Sequence, residues 1–228
     1  MNSARTYGAP PFGVALVHGG PGAAGEMAPV ARELSLRRGV LEPLQTGRTV
    51  DAQVAELHAL LGERAALPVT LIGHSWGAWL SFMLAALHPG QVKKLILVAA
   101  GPFEETWVPL MNGTLAKRLT PEERAAAAAY TAMLEDPACE NKKEVFVRFG
   151  DLMTRAGAFD PIPSNNDMVE YRPDIFLPVM REAAQLRRSG RLLGMGRRIT
   201  CPVVAMHGDH DCHPHQGVEK PLSRVVGD

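Results

Sequence analysis

Gly73-His74-Ser75-Trp76-Gly77 sets a serine hydroxyl between two glycines, each two residues away. A serine oxygen becomes a useful nucleophile only when a neighbouring base takes its proton. Lifting that oxygen out of a sheet requires a tight, strained turn, and glycines at these offsets remove the side chains that would collide. A helix opening at Trp76 would aim its first N–H groups at the reaction centre. The chemistry this predicts is acyl transfer through Ser75. The plain alternative is a glycine-rich strand-to-helix turn with a solvated serine.

His18-Gly19-Gly20-Pro21-Gly22 complements it. A tetrahedral acyl intermediate needs two donors for its oxyanion. One is the backbone N–H after the nucleophile, here Trp76, and the other comes from the loop after an earlier strand, here Gly20. A phosphate-cradling loop is the alternative, but no Lys-Ser/Thr follows and the GxGxxG spacing is absent. His18 is expected to be a structural hydrogen-bonding residue of the loop rather than a base.

The third group runs from His207 through Gly208, Asp209, His210, Asp211, Cys212, His213 and Pro214 to His215. A triad acid should follow the nucleophile in sequence and sit at a strand end. Asp211 is the expected acid and Asp209 the reserve, with Cys212 a passive neighbour. Four histidines and two aspartates in this run could also hold a metal. The run reads as a loop, without the spacing or secondary structure that fixes ligands, so no metal is expected.

Strands must carry these groups. Residues 13–17, 69–72, 95–99 and 202–206 are apolar runs without clear alternation, as strands buried on both faces of a parallel sheet read. Val40-Leu41 is a weaker fifth. Residues 49–66 place Val50, Val54, Leu57 and Leu61 on one stripe, and residues 76–87 are apolar nearly all round, predicting a buried helix. The alternation predicts an α/β fold with a parallel sheet and right-handed crossovers. Between 101 and 198 it breaks. Thr120-Pro121-Glu122-Glu123 is a capping box opening a helix to about Glu135. Residues 141–156 form a second helical pattern, and 173–193 a third interrupted or entered at Pro178, with a loop at 161–166 between them. The expected organisation is a core of residues 1–101 and 199–228, with 102–198 a helical cap. A separate small helical domain is the alternative.

The chain has 228 residues with 24 basic and 24 acidic side chains, a balance that gives no footprint for nucleic acid or an anionic membrane. No apolar stretch approaches the ~20 residues of a membrane helix, and residues 1–11 carry no signal-peptide pattern. Three cysteines without a CxxC pair fit a reducing cytoplasm. The expected partner is a small-molecule substrate, and association into a homo-oligomer is compatible with this composition.

The three motifs together resemble the α/β-hydrolase superfamily, and the HGGPG and GHSWG pair is similar to its proline iminopeptidase-like branch. The resemblance implies Ser75 as nucleophile, Asp211 as acid and the N–H groups of Gly20 and Trp76 as oxyanion hole. It implies no cofactor, and a serine hydrolase of small esters or amides. The family places two more strands ahead of the HG strand, whereas twelve residues precede Gly13 here, so those outer strands are expected to be missing and the sheet to be shortened at both ends. Its triad histidine follows a further strand beyond the acid, and no residue from Cys212 to Asp228 matches that position. The expectation is therefore an impaired enzyme, with a non-catalytic binding protein of the same fold as the alternative and a metal-dependent hydrolase as a third reading. His213 or His215 could replace the base only with unusual loop geometry. An iminopeptidase would need cap carboxylates for a free amine, for which Glu104, Glu105, Asp167, Glu170 and Asp174 are available. Phe103, Trp107, Phe159 and Phe176 suggest either a partly apolar pocket or the packing of the cap itself.

Overall fold

The computed structural model describes residues 3–160 and 168–227. The loop expected at 161–166, and Asp167, lie outside them. In chain order the elements are β1 (Ala4–Tyr7), β2 (Phe12–Val17), β3 (Ala23–Ala24), α1 (Ala28–Ser35), β4 (Gly39–Pro43), α2 (Val50–Arg64), β5 (Val69–His74), α3 (Trp76–Leu87) and β6 (Val92–Val98). They continue with α4 (Val108–Arg118), α5 (Pro121–Glu135), α6 (Lys142–Gly157), β7 (Glu170–Tyr171), α7 (Pro173–Arg188), α8 (Arg191–Gly194), β8 (Val203–Met206) and α9 (Gln216–Leu222).

The main sheet has the order β1-β4-β2-β5-β6-β8. Every pairing is parallel except that of β1 with β4. β1 corrects the expectation that both outer strands are missing: one is present, as an antiparallel edge. The register pairs Val17 with Gly73, His74 with Val98, and Val98 with Met206. All three sequence motifs therefore leave the sheet at one edge, the carboxyl end, where ligands of open α/β sheets bind.

Packing explains the order of the layers. Ala15, Leu16, Val17 and Leu71 are inaccessible to solvent because helices cover both faces of the sheet. α3 is buried at nearly every position, as its unbroken apolar sequence requires. α2 begins at the Thr49 cap, whose side chain accepts from Ala52 N, and Glu182 accepts from Val50 N at 2.7 Å. Carboxylates at such N-termini also meet the favourable end of the helix dipole.

The helices between β6 and β8 pack in two ways. α4, α5 and α6 bury Leu119, Leu152 and Ala156 in one cluster, and Leu134, Val145 and Phe146 in another. α7 instead sends Ile175, Val179 and Ala183 into the core shared with the sheet. α5 opens with the expected capping box, Thr120 and Glu123 each bonding the other's backbone N–H.

Candidate active site

Between the end of β5 and the start of α3, Ser75 adopts φ 50° and ψ −112°. Among the described residues Ala99 is the other non-glycine at positive φ. Such a conformation costs on the order of 1–3 kcal/mol and persists only where the surroundings impose it. Here they do. Ser75 N donates to Val98 O at 3.0 Å, and Ala78 N donates to Ser75 O at 3.1 Å. A Cβ on Gly73 would stand 2.1 Å from the Gly77 carbonyl oxygen. The two tryptophans behind the turn are pinned by their indoles: Trp76 Nε1 donates to Gln53 Oε1 and Trp79 Nε1 to Gly101 O, both at 2.9 Å.

The 18–22 loop packs onto this turn. A Cβ on Gly19 would lie 2.8 Å from His74 Nδ1. Gly20 has φ 43° and its carbonyl accepts from Ala23 N at 2.9 Å, closing a tight turn. His18 is fully buried, and its Nδ1 is 2.7 Å from Gly19 O. Burial lowers its pKa, which keeps the ring neutral. Sequence reading missed Glu26, whose Oε1 is 3.5 Å from His74 Nδ1. Burial alone would depress the His74 pKa, but the Glu26 carboxylate outweighs it and raises it. Burial likewise opposes ionisation of Glu26, and His74 overcomes it to lower that pKa. Glu26 lies in no recognisable motif; the packing of its loop alone brings it to the elbow.

The loop after β8 carries Asp211. Its Oδ1 accepts from His213 N at 2.9 Å and lies 3.2 Å from His213 Nδ1, while Oδ2 is 3.4 Å from His207 Nδ1. Burial works against the carboxylate's charge, but these two imidazoles hold its pKa far below the usual range. The reciprocal effect raises His213 to about 9 despite its burial. The charges of both Asp211 and His213 reach His74 at the elbow. Arg118 of α4 fixes the loop from above, donating to Ala156 O at 3.1 Å, to Gly157 O at 2.8 Å and to His210 O. The Phe159 ring stacks on His210 at 4.0 Å between centroids.

Asp209 takes another course. With Val203, His207, His215 and Leu222 it lines a groove of about 740 Å³ beside β8 and α9, which Ser75 does not line. The hydrogen bonds of histidine rings among the described residues run to Gly19, Gln91, Asp211 and Cys212, not to Ser75 Oγ. The acids considered for amine binding are largely engaged: Glu104 pairs with Arg224, Glu105 with Arg187 and Asp174 with Arg172. Phe103 packs on Trp79 and Phe82 in the core, and Phe176 on Phe146 and Phe149, so neither lines an open pocket.

Residues 14–227 match the alpha/beta hydrolase family. The chain belongs to that family. A 50-residue segment is 44% identical to Lipase LipV of Mycobacterium tuberculosis, covering 22% of this chain and 19% of the lipase. Among solved structures, VinJ superposes with a TM-score of 0.65 at 20% identity over 99% of this chain and 83% of its own. The proline iminopeptidase of Mycobacterium smegmatis gives 0.57 at 19% identity, over 99% of this chain and 83% of that one. The thioesterase domain from the curacin biosynthetic pathway also gives 0.57 at 19%, over 98% and 86%. At these identities the structural matches speak for the fold.

Proposed function

We propose that this α/β-hydrolase family member is a serine hydrolase of small esters or amides that works by acylation of Ser75. Asp211 serves as the acid of the site, and the N–H groups of Gly20 and Trp76 receive the oxyanion. The helices within residues 102–198 act as a cap, with α7 rooting them in the core. The observation that carries this reading is the positive φ of Ser75 at the strand–helix junction, held there by backbone contacts on both sides. Structure tolerates that expense where a side chain must project from the sheet.

The substrate class follows from what is already paired. Glu104, Glu105 and Asp174 each spend their charge on an arginine of this chain, which disfavours capture of a free amine in the iminopeptidase manner. An uncharged acyl group suits the site better. No helix among the described residues is long and apolar enough to cross a membrane, and the three free cysteines suit a reducing compartment such as the cytoplasm.

A second reading, a binding protein that turns over slowly or not at all, is favoured by the base. The imidazole that Asp211 orients is His213, which its carboxylate partner keeps protonated at neutral pH. A protonated ring does not accept the serine proton. A fluorophosphonate probe separates the two readings. Labelling of Ser75 in the longest natural form of the protein, absent in Ser75→Ala, supports the hydrolase. A protein that folds, binds acyl compounds and leaves the probe untouched is the binding protein.

A further inference from the structure

We propose that β8 is a dimerisation edge, at which a second copy of this chain pairs antiparallel about a two-fold axis passing beside Val204. β8 ends the main sheet and pairs with β6 alone among the described residues. Its sequence, Val203-Val204-Ala205-Met206, is that of a strand buried on both faces. Its surroundings are not: Val204 is 37% exposed and Met206 55%. The opposite edge carries the usual protection, with Arg5 and Thr6 in β1. β8 has neither a charge nor a bulge in its register with β6. The groove lined by Val203, Ala205 and Leu222 runs along it. A bare apolar edge of this kind is a template for pairing with another chain.

Backbone direction, symmetry and charge select a second copy as the occupant. Leu95 N donates to Pro202 O at 3.0 Å and Ala99 N to Met206 O at 2.9 Å, so Pro202 and Met206 spend their carbonyls on β6. Alternation along the strand then turns the N–H and C=O groups of Val203 and Ala205 outward. Antiparallel pairing of two β8 strands sets Val203 of each copy opposite Ala205 of the other, and each such pair exchanges two hydrogen bonds. Val204 meets its own counterpart in a pair without hydrogen bonds, where side chains approach most closely. The flanks complete the match. Arg197 and Arg198 precede β8, Asp209 follows it, and all three are exposed. Antiparallel pairing carries the basic end of each copy to the acidic end of the other, whereas parallel pairing would set like charges together. The contact is isologous and therefore closed: each copy uses its one β8 edge, and two six-stranded sheets become one.

Sedimentation velocity over a dilution series tests the association, and cysteine crosslinking tests the register. The wild type is expected to be a dimer that dissociates on dilution. Val204→Lys sets two cations face to face on the axis and should weaken association about tenfold or more, with the far-ultraviolet circular dichroism unchanged. Arg198→Glu should weaken it too, and adding Asp209→Arg to the same chain should restore it. In a Cys139→Ser/Cys201→Ser background, where Cys212 is buried, Val204→Cys should oxidise to a disulfide-linked dimer. Val203→Cys, which faces Ala205 of the other copy rather than itself, should not. A chain that stays monomeric throughout, its edge free for a strand of some other protein, overturns the proposal. So does a dimer that Val204→Lys leaves intact, or crosslinking through Val203→Cys as readily as through Val204→Cys.

Discussion

A Cβ on Gly77 would stand 2.3 Å from the Val17 carbonyl oxygen and 2.5 Å from that of His18. The first turn of α3 thus rests directly on the end of β2, and the atoms in the way are backbone. They cannot rotate aside as a side-chain tip could. Gly77→Ala is expected to cost about 1–3 kcal/mol and to move the elbow away from the 18–22 loop. Urea unfolding should show the loss, and fluorophosphonate labelling of Ser75 should fall further than the unfolded fraction explains. Gly90→Ala, with nothing within 4 Å of the new Cβ, is the control that should change neither.

Ser75 at φ 50° leads to a second expectation. Glycine occupies that region without the Cβ penalty, and alanine meets the same penalty as serine. Ser75→Gly is therefore expected to be more stable than Ser75→Ala by about 1 kcal/mol, while both lose labelling. Thermal melts of the pair measure it. A glycine variant no more stable than the alanine variant would show that the elbow holds no strain.

The sheet and the elbow were legible in the sequence because burial on both faces removes polar residues. The runs ending at Val17, Ile72 and Met206 all became strands, and α3 begins at Trp76 and ends at Leu87 as read. β1 was not legible. Ala4-Arg5-Thr6-Tyr7 is an edge strand whose polar residues point to specific partners, so it has no apolar run to betray it. Glu26 was invisible for another reason. Its partner His74 is 48 positions away in the chain, and nothing local announces a contact that loop packing alone creates. The same holds for Arg118, one arginine among many on a helical segment, which the fold brings to the acid loop. In the sequence His213 reads as a substitute base or as one of four histidines able to hold a metal; its bond to Asp211 depends on a loop conformation that residue spacing does not encode.

Tyr7 and Glu42 test the edge strand. Tyr7 Oη donates to Glu42 Oε2 at 2.6 Å, and Glu42 is fully buried. Tyr7→Phe removes that donor and leaves a buried carboxyl oxygen without it, a change expected to cost about 1–3 kcal/mol. The loss should appear in chemical unfolding with Ser75 labelling per folded molecule unchanged, because β1 lies at the sheet edge far from β5 in strand order.

Arg118 makes a different demand. Its guanidinium spans the carbonyls of Ala156, Gly157 and His210, joining the end of α6 to the acid loop. Arg118→Ala is expected to cost about 1–3 kcal/mol, since charged donors make the stronger hydrogen bonds. Amide exchange should rise locally at residues 209–213 before any global loosening. Uniform acceleration across the sheet would instead make Arg118 an ordinary contributor to stability.

The pair of Glu26 and His74 gives the protein a pH signature at the elbow. His74 has its pKa raised above 6.5 in the folded state, so its contribution is complete below 6.5 and is lost as pH rises through the folded value. Glu26 has its pKa lowered below 4.5, so its contribution is complete above 4.5 and is lost as pH falls through the folded value. Both act together between those limits. The two side chains are partly exposed, which screens the attraction and holds it to about 1 kcal/mol or less. Glu26→Gln should therefore lower the melting temperature most near about pH 5.5 and progressively less on the alkaline side, for instance at about pH 9, as His74 loses its charge on passing through its raised folded pKa. Melting curves of wild type and variant at the two pH values measure the difference. A gap that stays constant, or widens on the alkaline side, would mean that Glu26 holds the 18–22 loop by hydrogen bonding alone and that no charge pair operates beside Ser75.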